Sequence, residues 1–266
     1  MNISALPQPH RGFLERALPA LEGDPRLAGV GVQGSAVTGG FDEFSDLDLV
    51  VAVTAEAYDE VMADRRRIAA GLGNLLGAFT GEHVAEPRLL ICLYGPTPLH
   101  VDLKFVRVDE TAERTEDPAV LSDTEGQFTT ALDEGTAAFP EPELQWIEDR
   151  FWIWIHYGVC KVGRGELFEA HDFLAFLRMQ VLGPLALKTS GARPSGVRRI
   201  ETEAPDWVEP LCRTLAGYDR DACLDALQAA AEIYIDLRDG LADDGLIRGR
   251  SAEIAALETL AAIRAT

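Results

Sequence analysis

The sequence predicts an α+β protein: an N-terminal mixed β-sheet with flanking helices, followed by a C-terminal α-helical bundle. Up to Pro140-Glu141-Pro142, short runs rich in Val and Leu alternate with a few helical stretches; beyond it, almost every segment has helical period. We therefore expect a domain at residues 1–140 and a second at 141–266. Hydrophobic residues make up 47% of the 266 residues and charged residues 26%, a balance typical of globular proteins.

The first elements follow from apolar periodicity. Apolar side chains recur at helical spacing over residues 13–21 and predict an amphipathic opening helix. The compact apolar runs 27–32 and 47–53 predict two strands. Between residues 57 and 76 the pattern is again helical, so a longer helix is expected there.

Two further strands are expected at 88–94 and 100–108, separated by a turn at Gly95-Pro96. The second strand alternates apolar and polar residues, so Asp102 shares a face with His100 and Lys104. The alternation inverts at Val106-Arg107. This inversion predicts either a bulge or a change in the strand's surroundings. Residues 109–118 are expected to form a polar loop, with a short strand at 119–121.

The C-terminal region predicts helices at 144–162, 166–187, 207–215 and 221–241. Pro184 is expected to kink the second of these helices. A final helix is expected with Ser251 as its N-cap.

Composition excludes several function classes. Twenty-four Lys and Arg stand against 44 Asp and Glu, a net charge of −20 that repels a polyphosphate backbone. The four cysteines show no CxxC spacing and are expected to be reduced, buried thiols. No signal-peptide pattern and no run of roughly 18 apolar residues is present. We expect a cytoplasmic protein that acts on a small molecule, with neither nucleic acid nor membrane as a partner.

One segment carries chemistry: Gly34-Ser35, ten intervening residues, then Asp46-Leu47-Asp48 and an apolar run. The two aspartates are spaced i, i+2 at the start of a strand, so both side chains point to one face. Adjacent carboxylates repel, and a bound divalent cation relieves the repulsion. Oxygen ligands without His or Cys favour Mg²⁺, and Asp102 is a candidate third ligand.

The Gly34-Ser35 pair offers backbone N–H groups and a hydroxyl at the end of a strand, an arrangement suited to phosphate. Carboxylates that hold a metal beside a phosphate cradle indicate chemistry at a phosphoryl group. Taken singly, an Asp-x-Asp on a strand or a polar residue on an edge strand is commonly a solvated surface feature. The spacing of the whole set favours function.

Gly-Ser, Asp-x-Asp and a later lone Asp resemble the nucleotidyltransferase superfamily that includes DNA polymerase β. The run Phe-Ser-Asp-Leu-Asp-Leu-Val-Val is similar to the small antibiotic-modifying members, and the layout resembles the aminoglycoside and lincosamide nucleotidyltransferases. The resemblance implies transfer of a nucleoside monophosphate, AMP from ATP, to a hydroxyl with release of pyrophosphate. It implies that Gly34 and Ser35 hold the triphosphate, that Asp46 and Asp48 bind Mg²⁺, and that Asp102 is a ligand or the base.

The segment Lys161-Val-Gly-Arg164 resembles a helix end from which, in these enzymes, a basic side chain reaches the triphosphate. Lys161 is therefore a candidate phosphate ligand and Arg164 a weaker one; a cation at a helix C-terminus is the equally weighted structural interpretation.

Several alternatives stay open. The chain could add AMP to a protein, as toxin–antitoxin transferases do, or bind a nucleotide without catalysis. The expected partners are an NTP and a small-molecule acceptor, an aminoglycoside- or lincosamide-like antibiotic being one candidate. The sequence does not fix the acceptor, the NTP or whether the protein is a homodimer.

Overall fold

A computed structural model describes residues 3–266, and the chain divides at Phe139–Pro140 into two compact units. We call them the sheet unit and the helical unit. The sheet unit is α+β, with a mixed six-stranded sheet. Its strands are β1 (Leu27–Val32), β2 (Leu47–Val53), β3 (Asn74–Gly81), β4 (Glu86–Gly95), β5 (Leu99–Arg107) and β6 (Ala119–Asp123). Its helices are α1 (Gln8–Glu22), α2 (Ser35–Thr38), α3 (Tyr58–Gly71) and α4 (Gln127–Asp133).

The strands lie in the order β3-β4-β5-β2-β1-β6. All neighbouring pairs are antiparallel except β2 and β5, which are parallel. The parallel pair is in unbroken register from Leu47 opposite Val101 to Val53 opposite Arg107. Side chains at equal positions of β2 and β5 therefore project from the same face of the sheet.

One face of the sheet packs against α1 and α3 and forms the main core of this unit. Leu47, Leu49 and Val51 of β2 face this core, and Phe13 and Leu14 of α1 cover them. These side chains are almost fully buried, and their burial drives the packing of the helices on the sheet. The alternation of β2 leaves Asp48 on the opposite face.

The opposite face is covered only in part, by α4, which the sequence analysis did not predict. Phe128 and Leu132 of α4 pack on Val50 and Val106. Because Val106 is buried under α4, the inversion of the pattern at Val106-Arg107 reflects a change in surroundings. The bulge alternative is wrong, since β5 keeps its register with β2 through Arg107.

The helix predicted over 57–76 ends at Gly71 in the structure. Residues 74–76 of the predicted range belong instead to β3, an edge strand that was not predicted. Two glycines, Gly71 and Gly73, interrupt the helix because they favour an extended or turning backbone. Leu75 and Leu76 then continue as strand. Periodicity alone did not separate these apolar residues from the helical pattern before them.

The helical unit contains α5 (Leu144–Gly163), α6 (Leu167–Leu177), α7 (Gly183–Thr189), α8 (Ile200–Glu203), α9 (Val208–Cys212), α10 (Arg220–Leu241) and α11 (Arg250–Arg264). A π-helical turn over Arg178–Leu182 joins α6 to α7, and Pro184 lies in the first turn of α7. The predicted N-cap Ser251 is wrong: Gly249 occupies the cap position and Ser251 lies within α11.

A buried polar network crosses the core of the helical unit. The Glu148 carboxylate of α5 accepts hydrogen bonds from the Tyr234 hydroxyl at 2.5 Å and from the Gly249 N–H at 2.9 Å. The Arg238 guanidinium lies 3.4 Å from the same carboxylate and 3.0 Å from Glu253. Each charge has a partner, as burial requires. The network ties α5, α10 and α11 together.

All four cysteines are free thiols. The predicted burial is confirmed for Cys92 and Cys223. It is wrong for Cys212, which is exposed, and for Cys160, which is only half-buried. Among residues 3–266 no helix combines the length and the apolar character needed to cross a membrane.

Candidate active site

Two of the predicted carboxylates lie side by side. Asp48 on β2 and Asp102 on β5 are direct register partners. Neighbouring strands are about 4.8 Å apart, so the two side chains project next to each other from the face that α1 and α3 do not cover. Both are half-buried. We call Asp48 and Asp102 the carboxylate pair.

The Gly34 turn contacts the carboxylate pair. The Gln33 N–H donates a hydrogen bond to the Asp48 carbonyl oxygen at 2.8 Å, and Gly34 follows with a φ of 68°. A Cβ added at Gly34 would collide with the Asp48 carboxylate oxygen Oδ2. Only glycine combines this backbone conformation with so close an approach. Glycine is therefore required at position 34 for two reasons, the backbone conformation of the turn and the nearby Asp48 carboxylate.

Ser35 and Asp46 flank this arrangement. Ser35 is half-buried and opens α2, a helix of four residues. Asp46 precedes β2 by one residue and is also half-buried, and its carboxylate has no hydrogen bond or ion pair to any residue in the range 3–266. The loop before Asp46 is held from α1, because His10, which is buried, hydrogen bonds to the Ser45 carbonyl oxygen at 2.7 Å.

Glu116 is a site residue that the sequence analysis missed. Its carboxylate accepts a hydrogen bond from the Gly34 N–H, and its carbonyl oxygen accepts one from Gln33 Nε2 at 2.8 Å. An acidic side chain thus occupies the backbone donor that the sequence analysis assigned to phosphate. Glu116 lies in the loop expected at 109–118, and no motif or periodicity there marks it.

His100 is the other addition. Its Nε2 lies 2.9 Å from Asp102 Oδ1, and the imidazole is half exposed. The alternation along β5 predicts both residues on its polar face, and the structure brings their side chains into contact. This contact can orient the Asp102 carboxylate.

A cavity of about 830 Å³ opens on the same side of the sheet. Val50 and Lys104, which line it, stand two residues beyond Asp48 and Asp102 and hence on the same face. Gln33, next to the Gly34 turn, also lines the cavity. Its volume is within the range of small-molecule and cofactor sites.

Charged side chains form one wall of the cavity. Glu86 accepts hydrogen bonds from the Arg88 guanidinium at 2.7 Å and lies 2.9 Å from the Lys104 ammonium. The hydrogen bond from Arg88, assisted by Lys104, lowers the pKa of Glu86 to about 2 although partial burial opposes the shift. Glu86 is therefore ionised at neutral pH.

The donor chemistry of this face suits Mg²⁺ in part. Asp48 and Asp102 supply adjacent hard oxygen ligands of the kind that Mg²⁺ prefers. Within residues 3–266, however, no group of three or more His, Cys, Asp or Glu side chains is arranged to hold a metal ion. The structure places Asp48 beside Asp102, and the metal-binding roles of Asp46, Asp48 and Asp102 stay predictions.

Lys161 lies in the last turn of α5, in the helical unit. Its ammonium is 2.8 Å from Glu166 and 2.9 Å from Glu169, and these contacts raise the pKa of Lys161. Arg164 is exposed and lies 3.5 Å from Glu166. In the structure both cations are thus paired with carboxylates, and their role at a triphosphate stays a prediction.

No protein-family model matches the chain, and no curated protein matches it. Among solved structures, it is similar to an aminoglycoside 6-adenyltransferase from Bacillus subtilis, with 15% identity and a TM-score of 0.40. The similarity covers 95% of this chain and 98% of the other. At this level the comparison assigns neither a family nor a site residue.

Proposed function

We propose that the protein is a nucleotidyltransferase that moves a nucleoside monophosphate from an NTP to a hydroxyl group of a small molecule. The observation that carries the proposal is the direct pairing of Asp48 and Asp102 on one sheet face, beside a glycine turn that no other residue fits. Gly34, Asp48 and Asp102 also belong to the sequence motif that resembles the nucleotidyltransferase superfamily. The adjoining cavity provides space for a substrate.

Asp48 and Asp102 would hold Mg²⁺, with Asp46 as the proposed third ligand. When bound, the ion neutralises charge that develops on the phosphoryl oxygens. The Gly34 N–H and the Ser35 hydroxyl would donate hydrogen bonds to phosphate oxygens. Because Glu116 accepts the Gly34 N–H in the structure, its carboxylate would have to leave this donor before a phosphate oxygen takes its place.

Asp102 is the proposed base. The acceptor hydroxyl oxygen forms a bond to the α-phosphorus, the bond to the pyrophosphate oxygen breaks, and the hydroxyl proton moves to Asp102. His100, 2.9 Å from Asp102, orients this carboxylate. Nucleotidyl ester and pyrophosphate are the products.

The proposed donor is ATP, and the proposed acceptor class is an aminoglycoside- or lincosamide-like compound, which the motif's resemblance suggests. Lys161 is proposed as a further phosphate ligand. A net charge of −20 favours a cationic or neutral acceptor over a nucleic acid.

The decisive experiment measures pyrophosphate release from Mg-ATP in the presence of aminoglycosides and lincosamides. We expect release by the unchanged chain and a loss of at least about 100-fold in Asp48→Asn, which keeps the shape and removes the charge. Asp59→Asn, an exposed change on α3, is the matched control and should leave the rate unaltered.

Equal rates for Asp48→Asn and the unchanged chain would refute the active-site assignment. Binding of Mg-ATP without turnover across the acceptor panel would instead indicate a nucleotide-binding module. Mass spectrometry of co-purified proteins tests the remaining alternative, because a protein-modifying transferase would leave added AMP on a partner.

A further inference from the structure

The helical unit carries an aromatic groove that the proposed chemistry does not use. It has a volume of about 550 Å³ and lies between α5 and α6. We define it by five apolar side chains, Ile153, Trp154, Tyr157, Phe173 and Phe176. Ile153 is 63% exposed and Tyr157 42%. Apolar and aromatic side chains that are exposed together along one groove indicate a binding site.

The rings of the groove contact each other. The ring centroids of Trp154 and Phe176 are 5.3 Å apart in an edge arrangement, and those of Tyr157 and Phe173 are 5.1 Å apart. The rings of Phe173 and Phe176 stack at 5.7 Å. These contacts fix the ring faces before any ligand arrives, which reduces the entropy lost on binding.

Two carboxylates lie at the groove, Glu169 and Asp172 of α6. Glu169 accepts a hydrogen bond from the Tyr157 hydroxyl, and this contact and the one to Lys161 lower the pKa of Glu169. Asp172 is exposed, and its carboxylate has no hydrogen bond or ion pair within residues 3–266. The groove thus combines aromatic walls with a carboxylate that no cation of the described chain neutralises.

The chain itself shows how such a surface binds a cation. The Lys161 ammonium lies 5.0 Å from the centre of the Tyr157 ring and 2.9 Å from Glu169. One ammonium is therefore held by a ring face together with a carboxylate. The groove contains the same kinds of group a second time: two aromatic rings, Trp154 and Phe176, and a carboxylate, Asp172. No ammonium of the described chain is paired with that carboxylate.

We propose that the aromatic groove binds a small organic cation, an ammonium or guanidinium group on an apolar body. Aromatic faces attract the cation through their quadrupole, and Asp172 supplies the opposite charge. A second copy of the chain is disfavoured as the occupant. A symmetric contact between two grooves would bring Glu169 and Asp172 close to the same carboxylates of the other copy.

The test uses choline and its neutral carbon analogue 3,3-dimethylbutan-1-ol, added to the full chain without ATP. The indole N–H signal of Trp154 in ¹H–¹⁵N spectra, assigned with Trp154→Phe, reports binding. We expect choline to shift this signal and to bind at least about fivefold more tightly than the alcohol. Because no nucleotide is present, the outcome is independent of pyrophosphate release.

Asp172→Asn should weaken choline binding about fivefold, because it removes the charge and keeps the shape. Asp236→Asn, an equal change on an exposed position of α10, is the matched control. Equal affinity for choline and the alcohol, or unaltered choline affinity in Asp172→Asn, overturns the proposal. So does a monomer–dimer equilibrium in sedimentation that Phe176→Ser abolishes, since the occupant is then a second copy.

Discussion

Among single residues, Gly34 can be compared with Gly39, a second glycine of similar backbone conformation. Gly34 and Gly39 both have positive φ angles, 68° and 94°, that only glycine adopts with ease. A Cβ at Gly39 meets no atom within 4 Å, whereas a Cβ at Gly34 collides with the Asp48 carboxylate. A substitution would strain the backbone at both positions, but only at Gly34 would the new side chain also collide with a neighbour.

We expect Gly39→Ala to lower the free energy of unfolding by about 1–2 kcal/mol, the cost of a strained backbone. Gly34→Ala should cost roughly 1 kcal/mol more, because Asp48 must also move. Urea unfolding of both variants measures the difference. Equal losses of unfolding free energy in the two variants would show that a Cβ at position 34 does not collide with Asp48.

Glu116 is the second test at this scale. Under the proposed function, its carboxylate competes with a phosphate oxygen for the Gly34 N–H and repels the triphosphate. Glu116→Ala should therefore tighten Mg-ATP binding about fivefold, measured by calorimetry. Glu22→Ala, an exposed change on α1, serves as the control. Weaker binding in Glu116→Ala would mean that Glu116 assists the nucleotide.

Asp48 and Asp102 could be predicted as site residues from the sequence, whereas Glu116 could not. Asp102 stands on a strand with clear alternation, and Asp48 stands at the start of an apolar run that predicts a strand, so a site shared by the two could be predicted. Glu116 contacts Gly34 through a hydrogen bond between two loops. Loop conformations follow from tertiary packing and leave no period in the sequence, so this contact could not be found.

At the scale of elements, the pairing of β4 with β5 predicts a pH dependence. Glu86 of β4 has its pKa lowered from a usual 4.5 to about 2 by hydrogen bonds from Arg88 and Lys104. A lowered pKa means stabilisation that is fully present above pH 4.5 and lost as the pH falls toward 2. The ion pairs of Glu86 thus weaken in acid.

We expect Glu86→Gln to cost about 2 kcal/mol of unfolding free energy at pH 7, and the deficit to shrink as the pH falls from about 5 to 3. Glu113→Gln is the control: Glu113 also lines the cavity, is exposed, and its carboxylate has no partner within residues 3–266. Urea titrations at several pH values measure both. A deficit that does not vary with pH would contradict the assigned ion pairs.

Elements with a strong pattern could be predicted, and those defined by contacts could not. β1 has no polar side chain and β2 has only Asp48, and both strands have the expected bounds. Strand β3 at the sheet edge has no regular alternation, and half of its residues are exposed. Helix α4 is short, and it is placed by burial of Phe128 against Val50 and Val106.

At the scale of the whole molecule, the division at Phe139–Pro140 leads to a prediction about autonomy. The helical unit has its own apolar core and the Glu148–Arg238 network inside it. We expect residues 140–266, produced alone, to unfold in a single cooperative transition in urea, followed by circular dichroism. The full chain is the reference. A broad, non-cooperative transition would show that this core is insufficient by itself.

The parallel pairing of β2 with β5 affects the order in which parts of this protein fold. Asp48 and Asp102 are far apart in the chain, and they become neighbours only after the intervening helix and hairpin have been accommodated. Pairing between distant segments is a slow step of folding. Newly made chains would therefore pass through compact stages in which these acids are still apart, and ligand capture on this face would begin only when the sheet is complete.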